Sequence, residues 1–328
     1  MNNMEHELDK ILTTLGIQPI LFDIGASGAP PAIWKPLARH SVYVGFDPDR
    51  RDLKDVPTGQ YARSIVVNEA ITSAPGKNEV HFHLTRAPFC SSTLRPDAES
   101  LADYLFSDMF IVEGEASVPA STLGAVIERL KLPGVDWFKT DSQGTDLRLF
   151  LSLPDDLRNR VLAVDMEPGL INAYHDEDLF VDAHREMLRQ GFWLSSLEAK
   201  KVVRMKRSTL EAMANLQPAL SDAHIYRSVR PSPAWCEARY LRSLESLAGR
   251  TADARDFALL WVFAMLERQW GFALDIAYAY AQRFPQDGIS SLLRDLPFKL
   301  IVRKNHTFRS ALIQYLPRCF VRFIKRQG

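Results

Sequence analysis

The residues best suited to chemistry lie in three short stretches. LFDIGASG carries Asp23, Gly25, Ala26, Ser27 and Gly28; VGFDPD carries Asp47 and Pro48; WFKTDSQG carries Lys139, Asp141, Gln143 and Gly144. Each starts as an apolar run and ends in a polar turn, as where a strand hands over to a loop. Asp47 stands twenty-two positions beyond Gly25. An acid there suits a ribose diol, because a carboxylate accepts from both hydroxyls. A dinucleotide of the NAD type calls for G-x-G-x-x-G, whose glycines let the backbone approach a pyrophosphate. Counted from Gly25, the two later positions hold Ser27 and Pro30, and no G-K-S or G-K-T follows. A ribose acid without pyrophosphate glycines points to a nucleoside lacking phosphates, of which S-adenosylmethionine is the common one. The plainer reading is a tight turn between strand and helix at Asp23 and Gly25.

WFKTDSQG supplies the second half of the candidate site. Methyl transfer is an in-line displacement, so a protein chiefly aligns the two atoms. A hydroxyl acceptor also needs a base, and the Asp141 carboxylate can take its proton. The alternative is an ordinary ion pair between Lys139 and Asp141 at a strand end. Glu167, in AVDMEP, can face the same cleft. Asp141 with Asp165 or Glu167 offers oxygen ligands for Mg²⁺, but the spacing requires no metal and none is expected. HFHL sets His81 and His83 on one face of a strand, as a base or as satisfied sheet residues. CSSTLRP offers Ser91, Ser92 and Arg95 as substrate contacts, or as a polar loop capping the next helix.

Elements must position these groups. Strand-like runs cover residues 20–24, 41–46, 64–67, 79–84, 137–140, 161–165 and 192–197, and helical pattern covers 4–16, 31–39, 120–130, 146–152 and 179–190. That alternation implies a parallel sheet with helices on both faces. GFWLSSLEAKKVVRMKR reads as a hairpin that closes the sheet with an antiparallel edge strand. ALSDAHIYRSVRPSPAW, with two prolines and no periodicity, reads as a linker. Helical periodicity then dominates from 235 to 283 and toward the C-terminus. The expected division is an α/β domain over 1–207 and an α-helical domain over 208–328.

Composition agrees with two globular domains: 328 residues, 46% apolar, 10% aromatic and formal net charge zero. Three scattered cysteines, Cys90, Cys236 and Cys319, fit reduced thiols in a cytoplasm. The start, MNNMEHELDK, lacks a signal-peptide plan, and no uncharged run reaches the ~18 residues of a membrane span. A cytoplasmic protein is expected, with no nucleic-acid partner. From residue 299 onward there are eight Lys or Arg and no Asp or Glu. Its aromatics could lay that segment on an anionic membrane or dock it onto helices.

LFDIGASG, VGFDPD, VVNEAITSAPGKNEVHFHL, CSSTLRP, VPASTLGAVIE, VDWFKTDSQGTDLRLF and LAVDMEP occur in the order that resembles FkbM-type S-adenosylmethionine-dependent methyltransferases, over roughly residues 18–205. The resemblance implies a class I methyltransferase fold, a Rossmann-like doubly wound sheet. It also implies O-methylation of a sugar, glycan or polyketide-like acceptor. By that likeness Asp23, Gly25, Ala26 and Ser27 surround the methionine part of the cofactor, Asp47 and Pro48 meet the ribose, and Asn68, Glu69 and Ala70 line the adenine. The family's K-x-D-x-E-G pattern, which ends a strand close to the methyl donor, is matched by Lys139, Asp141 and Gly144, with Gln143 in place of Glu, and by that likeness Lys139 is a substrate contact. Two departures, Gln143 and the altered glycine turn, favour the alternative: a non-catalytic binding module of the same fold in a glycan biosynthesis system.

Overall fold

The computed structural model describes residues 3–49, 59–250 and 252–305. The chain divides into two compact units, Glu7–Ala252 and a second formed by Met1–His6 with Asp253–Gly328.

The first unit contains all ten described strands: β1 (Ile20–Ile24), β2 (Val42–Phe46), β3 (Arg63–Val67), β4 (Ala70–Ile71), β5 (Glu79–Thr85), β6 (Val112–Ser121), β7 (Trp137–Thr140), β8 (Ala163–Met166), β9 (Phe192–Val202) and β10 (Ser232–Arg242). Seven make one sheet in the order β3-β2-β1-β7-β8-β10-β9. The first five of that order run parallel, and β10 is antiparallel to both β8 and β9. This is a mostly parallel α/β sheet compatible with a Rossmann-like fold. Every residue of β1 and β2 is buried, as expected of central strands covered on both faces. On one face Phe22, Phe46 and Phe138 share a core with the helices Leu123–Leu130, Asp146–Leu151 and Phe180–Arg189. On the other, Trp34 of the 3₁₀ helix Ala32–His40 meets Tyr43 and Trp137 edge-on.

The strand order reverses direction between β1 and β7. In open α/β sheets ligands bind outside the carboxyl ends of the strands at such a switch point. A three-stranded sheet, β4-β6-β5, adds to this unit. In it β5 and β6 pair Phe82 with Ala116 and His83 with Glu115, so the two kinds of side chain face opposite ways.

Two expectations about elements need correction. The stretch after Gly191 is not a hairpin: β9 is one eleven-residue edge strand. The antiparallel strand is β10, which lies inside the sheet rather than at its edge and comes from residues read as linker and helix. Its buried residues alternate at Ala234, Cys236, Ala238 and Tyr240, a period-two face hidden by the neighbouring prolines. The sheet-bearing unit therefore runs past 207 to Ala252.

The described part of the second unit holds three long helices, Ala254–Leu266, Trp270–Arg283 and Ser290–Asn305. The first is buried from Asp256 to Met265, so its apolar run has no polar face. Trp261 Nε1 donates to the Leu293 carbonyl at 2.9 Å. Among the described residues no helix is long and apolar enough to cross a membrane. The basic segment proposed for membrane contact lies, from 306 on, outside the described residues.

A chain ended at residue 207 removes β10 and leaves β8 and β9 without the strand between them. It is expected to lose cooperative thermal unfolding by circular dichroism, while a chain ended at 252 keeps it. A cooperative transition in the 207-residue chain would contradict this arrangement.

Candidate active site

A row of charge crosses the sheet near its carboxyl ends. Asp23 in β1 is opposite Lys139 in β7, Lys139 opposite Asp165 in β8, and Asp165 opposite Arg239 in β10. Lys139 Nζ lies 2.9 Å from Asp23 Oδ1, and the Tyr43 hydroxyl donates to Asp23 Oδ2 at 3.0 Å. Arg239 holds Asp165 in a two-pronged grip, Nε to Oδ1 at 2.6 Å and Nη2 to Oδ2 at 2.9 Å. Burial pushes the Asp23 carboxyl up, against the opposing pull of Lys139 and Tyr43. Lys139 thus pairs with Asp23 rather than with Asp141. Neither Asp23 nor Lys139 lines the large cavity described next, although the sequence placed them at cofactor and substrate.

Two residues beyond the row, the chain turns. Gly25 has φ +74°, and a Cβ on it would stand 2.2 Å from the Asp141 carbonyl oxygen. Only glycine allows both the left-handed backbone and that approach. Gly25 and Ala26 donate to the Phe46 carbonyl at 2.9 and 3.0 Å, and Asp141 donates to the Ile24 carbonyl at 3.0 Å. The loops after β1, β2 and β7 are thereby tied into one surface.

Beside that surface lies a cavity of about 660 Å³, within the usual range for a small-molecule site. Of the residues singled out from sequence, Gly25, Ser27, Asp47, Pro48, Glu69, Ala70, Ser91 and Asp141 line it. Asp47 is 8% exposed, and its Oδ1 accepts from Asp49 N at 2.7 Å. Glu69 is ion-paired with Arg129 at 3.0 Å. Apolar walls come from Phe46, Ile71 and Leu149 on one side and from Phe82, Leu84 and Phe89 on the other.

The remaining candidates lie elsewhere. Ala26 is buried in the turn, and Asn68 donates to the Asp47 carbonyl at 3.4 Å. Ser92 is fully buried and donates to the Gln143 carbonyl at 2.6 Å, so it shapes the loop instead of meeting a ligand. Arg95 is exposed and does not line the cavity. His83 shares the polar face of β5 with His81, its Nδ1 3.3 Å from Glu115 Oε1, while Phe82 and Leu84 face the cavity. The parity of a strand therefore turns His83 away from a catalytic position. Glu167 borders a second, smaller cleft of about 310 Å³ together with Lys139, Asp165 and Arg239. Burial raises its carboxyl, and repulsion from Asp141 adds to the shift.

Asp141 is partly buried and faces the cavity. Burial raises its carboxyl; Lys139 and a hydrogen bond from Gln143 act in the opposite sense. Three residues hold this end together, and of them sequence reasoning passed over Asp146 and Tyr174. Gln143 Nε2 donates to Asp141 Oδ1 at 2.5 Å, and the Tyr174 hydroxyl reaches Gln143 Oε1 at 3.1 Å. Asp146, first residue of its helix, accepts from Ser142 N at 2.8 Å, Thr140 Oγ1 at 3.1 Å and Glu167 N at 2.7 Å. It cross-links the ends of β7 and β8, and burial pushes its carboxyl up to about 6. The signal for Asp146 was an acid in the first turn of a helix following a strand. Tyr174 gave no such signal.

The donor set fits an adenosyl cofactor: an acid for a ribose, apolar walls for a base, and a backbone turn that only glycine permits. Among the described residues no group of three or more His, Cys, Asp or Glu is arranged to hold a metal ion. No family model, curated protein or solved structure matches the chain.

Removing Lys139 leaves the Asp23 carboxylate buried and unpaired. Lys139→Met is expected to cost about 3–5 kcal/mol at pH 7 by urea denaturation. The Asp23 pKa in the folded state lies above its unfolded value, so the folded state binds the proton more readily. The cost therefore shrinks as pH falls through the folded-state pKa. A loss below about 1 kcal/mol, typical of an exposed pair, would show that the pair is not buried in solution.

Proposed function

We propose that the chain is an S-adenosylmethionine-dependent methyltransferase acting on a hydroxyl of a sugar, glycan or polyketide-like acceptor. One observation carries this reading: Asp47 and Asp141, an acid suited to ribose and an acid suited to proton abstraction, line the same cavity at the switch point of the sheet. The strand order, with one antiparallel strand set next to the far edge, supports the class I methyltransferase fold that the sequence resemblance implies. Asp47 and Pro48 would hold the ribose, Glu69, Ala70 and Ile71 the adenine, and Gly25 with Ser27 the methionine part.

When bound, the cofactor would supply an electrophilic methyl group on a sulfonium, one that could pass to an acceptor oxygen with the C–S electron pair left on sulfur. The chain's own part is to align the acceptor and to receive the hydroxyl proton on the Asp141 carboxylate. Gly25 keeps the backbone beside Asp141 free of side chain. Phe82, Leu84 and Phe89 offer an apolar wall against which an acceptor would pack.

S-adenosylhomocysteine is expected to stabilise the protein by about 2.7 kcal/mol at a hundredfold excess over its dissociation constant. Asp47→Ala should remove most of that shift while keeping the fold. Stabilisation by NAD and not by S-adenosylhomocysteine would overturn the cofactor assignment.

Asp141→Asn should slow methyl transfer by about 10²–10⁴-fold at saturating cofactor. Near-normal turnover in that variant would remove Asp141 from the base role. Cofactor binding with no turnover on any hydroxyl acceptor would favour a binding module.

A further inference from the structure

Gln143 places an amide between a carboxylate and a phenol, donating to Asp141 and accepting from Tyr174. Its backbone is left-handed, φ +56°, in the turn that continues through Gly144 at φ +101°. A non-glycine residue adopts this only when its surroundings hold it there. Here Ser92 Oγ donates to its carbonyl at 2.6 Å. The side chain is held just as firmly: Nε2 lies 2.5 Å from Asp141 Oδ1 and Oε1 lies 3.1 Å from the Tyr174 hydroxyl. That hydroxyl also reaches the Cys90 carbonyl at 2.7 Å, so a single O–H faces two acceptors.

We propose that Gln143 is a positioning residue for Asp141: its amide, pinned by Tyr174 while Ser92 holds its backbone, aims the carboxylate into the cavity and serves it in both protonation states. Toward the ionised carboxylate the amide presents its nitrogen, with Tyr174 donating to the amide oxygen. Once Asp141 has taken a proton, a half-turn of the amide presents oxygen to the new O–H. The amide nitrogen then donates to the Tyr174 oxygen, and Tyr174 donates to the Cys90 carbonyl. The Asp141 carboxyl, one amide N–H and the Tyr174 O–H each keep a partner in both states, as a buried polar network favours. The base role of Asp141 rests on the methyl-transfer reading; the clamp itself does not.

Other groups also act on Asp141. Lys139 of its own strand stabilises the carboxylate, while Asp23 of β1, Asp146, Glu167 and Glu237 of β10 oppose it. Cys90 and Tyr174 face it as neutral groups, each with its own ionisation pushed up by burial. None of these charges is altered when Gln143 alone is replaced, and Tyr174 keeps the Cys90 carbonyl as its acceptor.

The test is the titration of the Asp141 carboxyl itself, followed by carbon NMR in ¹³C-aspartate-labelled protein and assigned through Asp141→Asn. It needs neither cofactor nor acceptor, so its outcome is separate from that of the methyl-transfer assignment. Gln143→Met removes the amide from both states; because its bond to the ionised carboxylate is stronger than the one it offers the neutral acid, the Asp141 pKa should rise by about 0.5–1 pH unit. Gln143→Glu keeps the shape, but two carboxyls must then share a proton, and protonation should occur at higher pH than in the unaltered protein. A purely structural role would lower stability and leave this titration in place. An Asp141 titration unmoved in either folded variant overturns the proposal.

Discussion

The structure depends on one partly buried row of alternating charge, Asp23–Lys139–Asp165–Arg239, laid straight across four neighbouring strands. Charges in a sheet interior are costly unless each has a partner with good geometry. Here Lys139 meets Asp23 and Arg239 grips Asp165 with two prongs. A slip of one residue in any of these strands would turn its charge to the opposite face, among Phe22, Phe138 and Val164. The row therefore specifies register more than it adds stability. Two residues further along β1, β7 and β8 stand Gly25, Asp141 and Glu167, so the register also determines where the site residues emerge.

Asp141 illustrates how packing turns an ordinary acid into a candidate base. It sits against the Gly25 turn, is partly buried, and is surrounded by more carboxyls than cations. Burial raises its pKa, while Lys139 and the Gln143 amide favour its charged form. A base works best when its pKa lies near the working pH, and opposing influences of this kind bring a carboxyl toward that range.

Much of this was legible in the sequence, and the losses have physical causes. The apolar runs ending in IGAS, FDPD and KTDSQG revealed β1, β2 and β7 because central strands are apolar on both faces. Asp47, Gly25 and Asp141 were found because their residue types suit particular chemistry at strand ends. β10 was missed because Pro231 and Pro233 suggested a linker, although Ala234, Cys236, Ala238 and Tyr240 already alternated. His83 was overvalued because period two shows which residues share a face, but not which face meets the cavity. The Asp23–Lys139 pair and the Gln143 clamp depend on contacts between distant parts of the chain, Tyr174 standing thirty-one residues from Gln143. No local pattern encodes those.

The central claim is that the cavity between the ends of β1, β2 and β7 receives an adenosyl ligand. A crystal structure of the protein grown with S-adenosylhomocysteine tests it most directly. The account predicts ribose hydroxyls within hydrogen-bonding distance of the Asp47 carboxylate, the adenine against Ile71, and the ligand sulfur on the Asp141 side of the Gly25 turn. A ligand bound elsewhere, or bound here with its ribose away from Asp47, would contradict it.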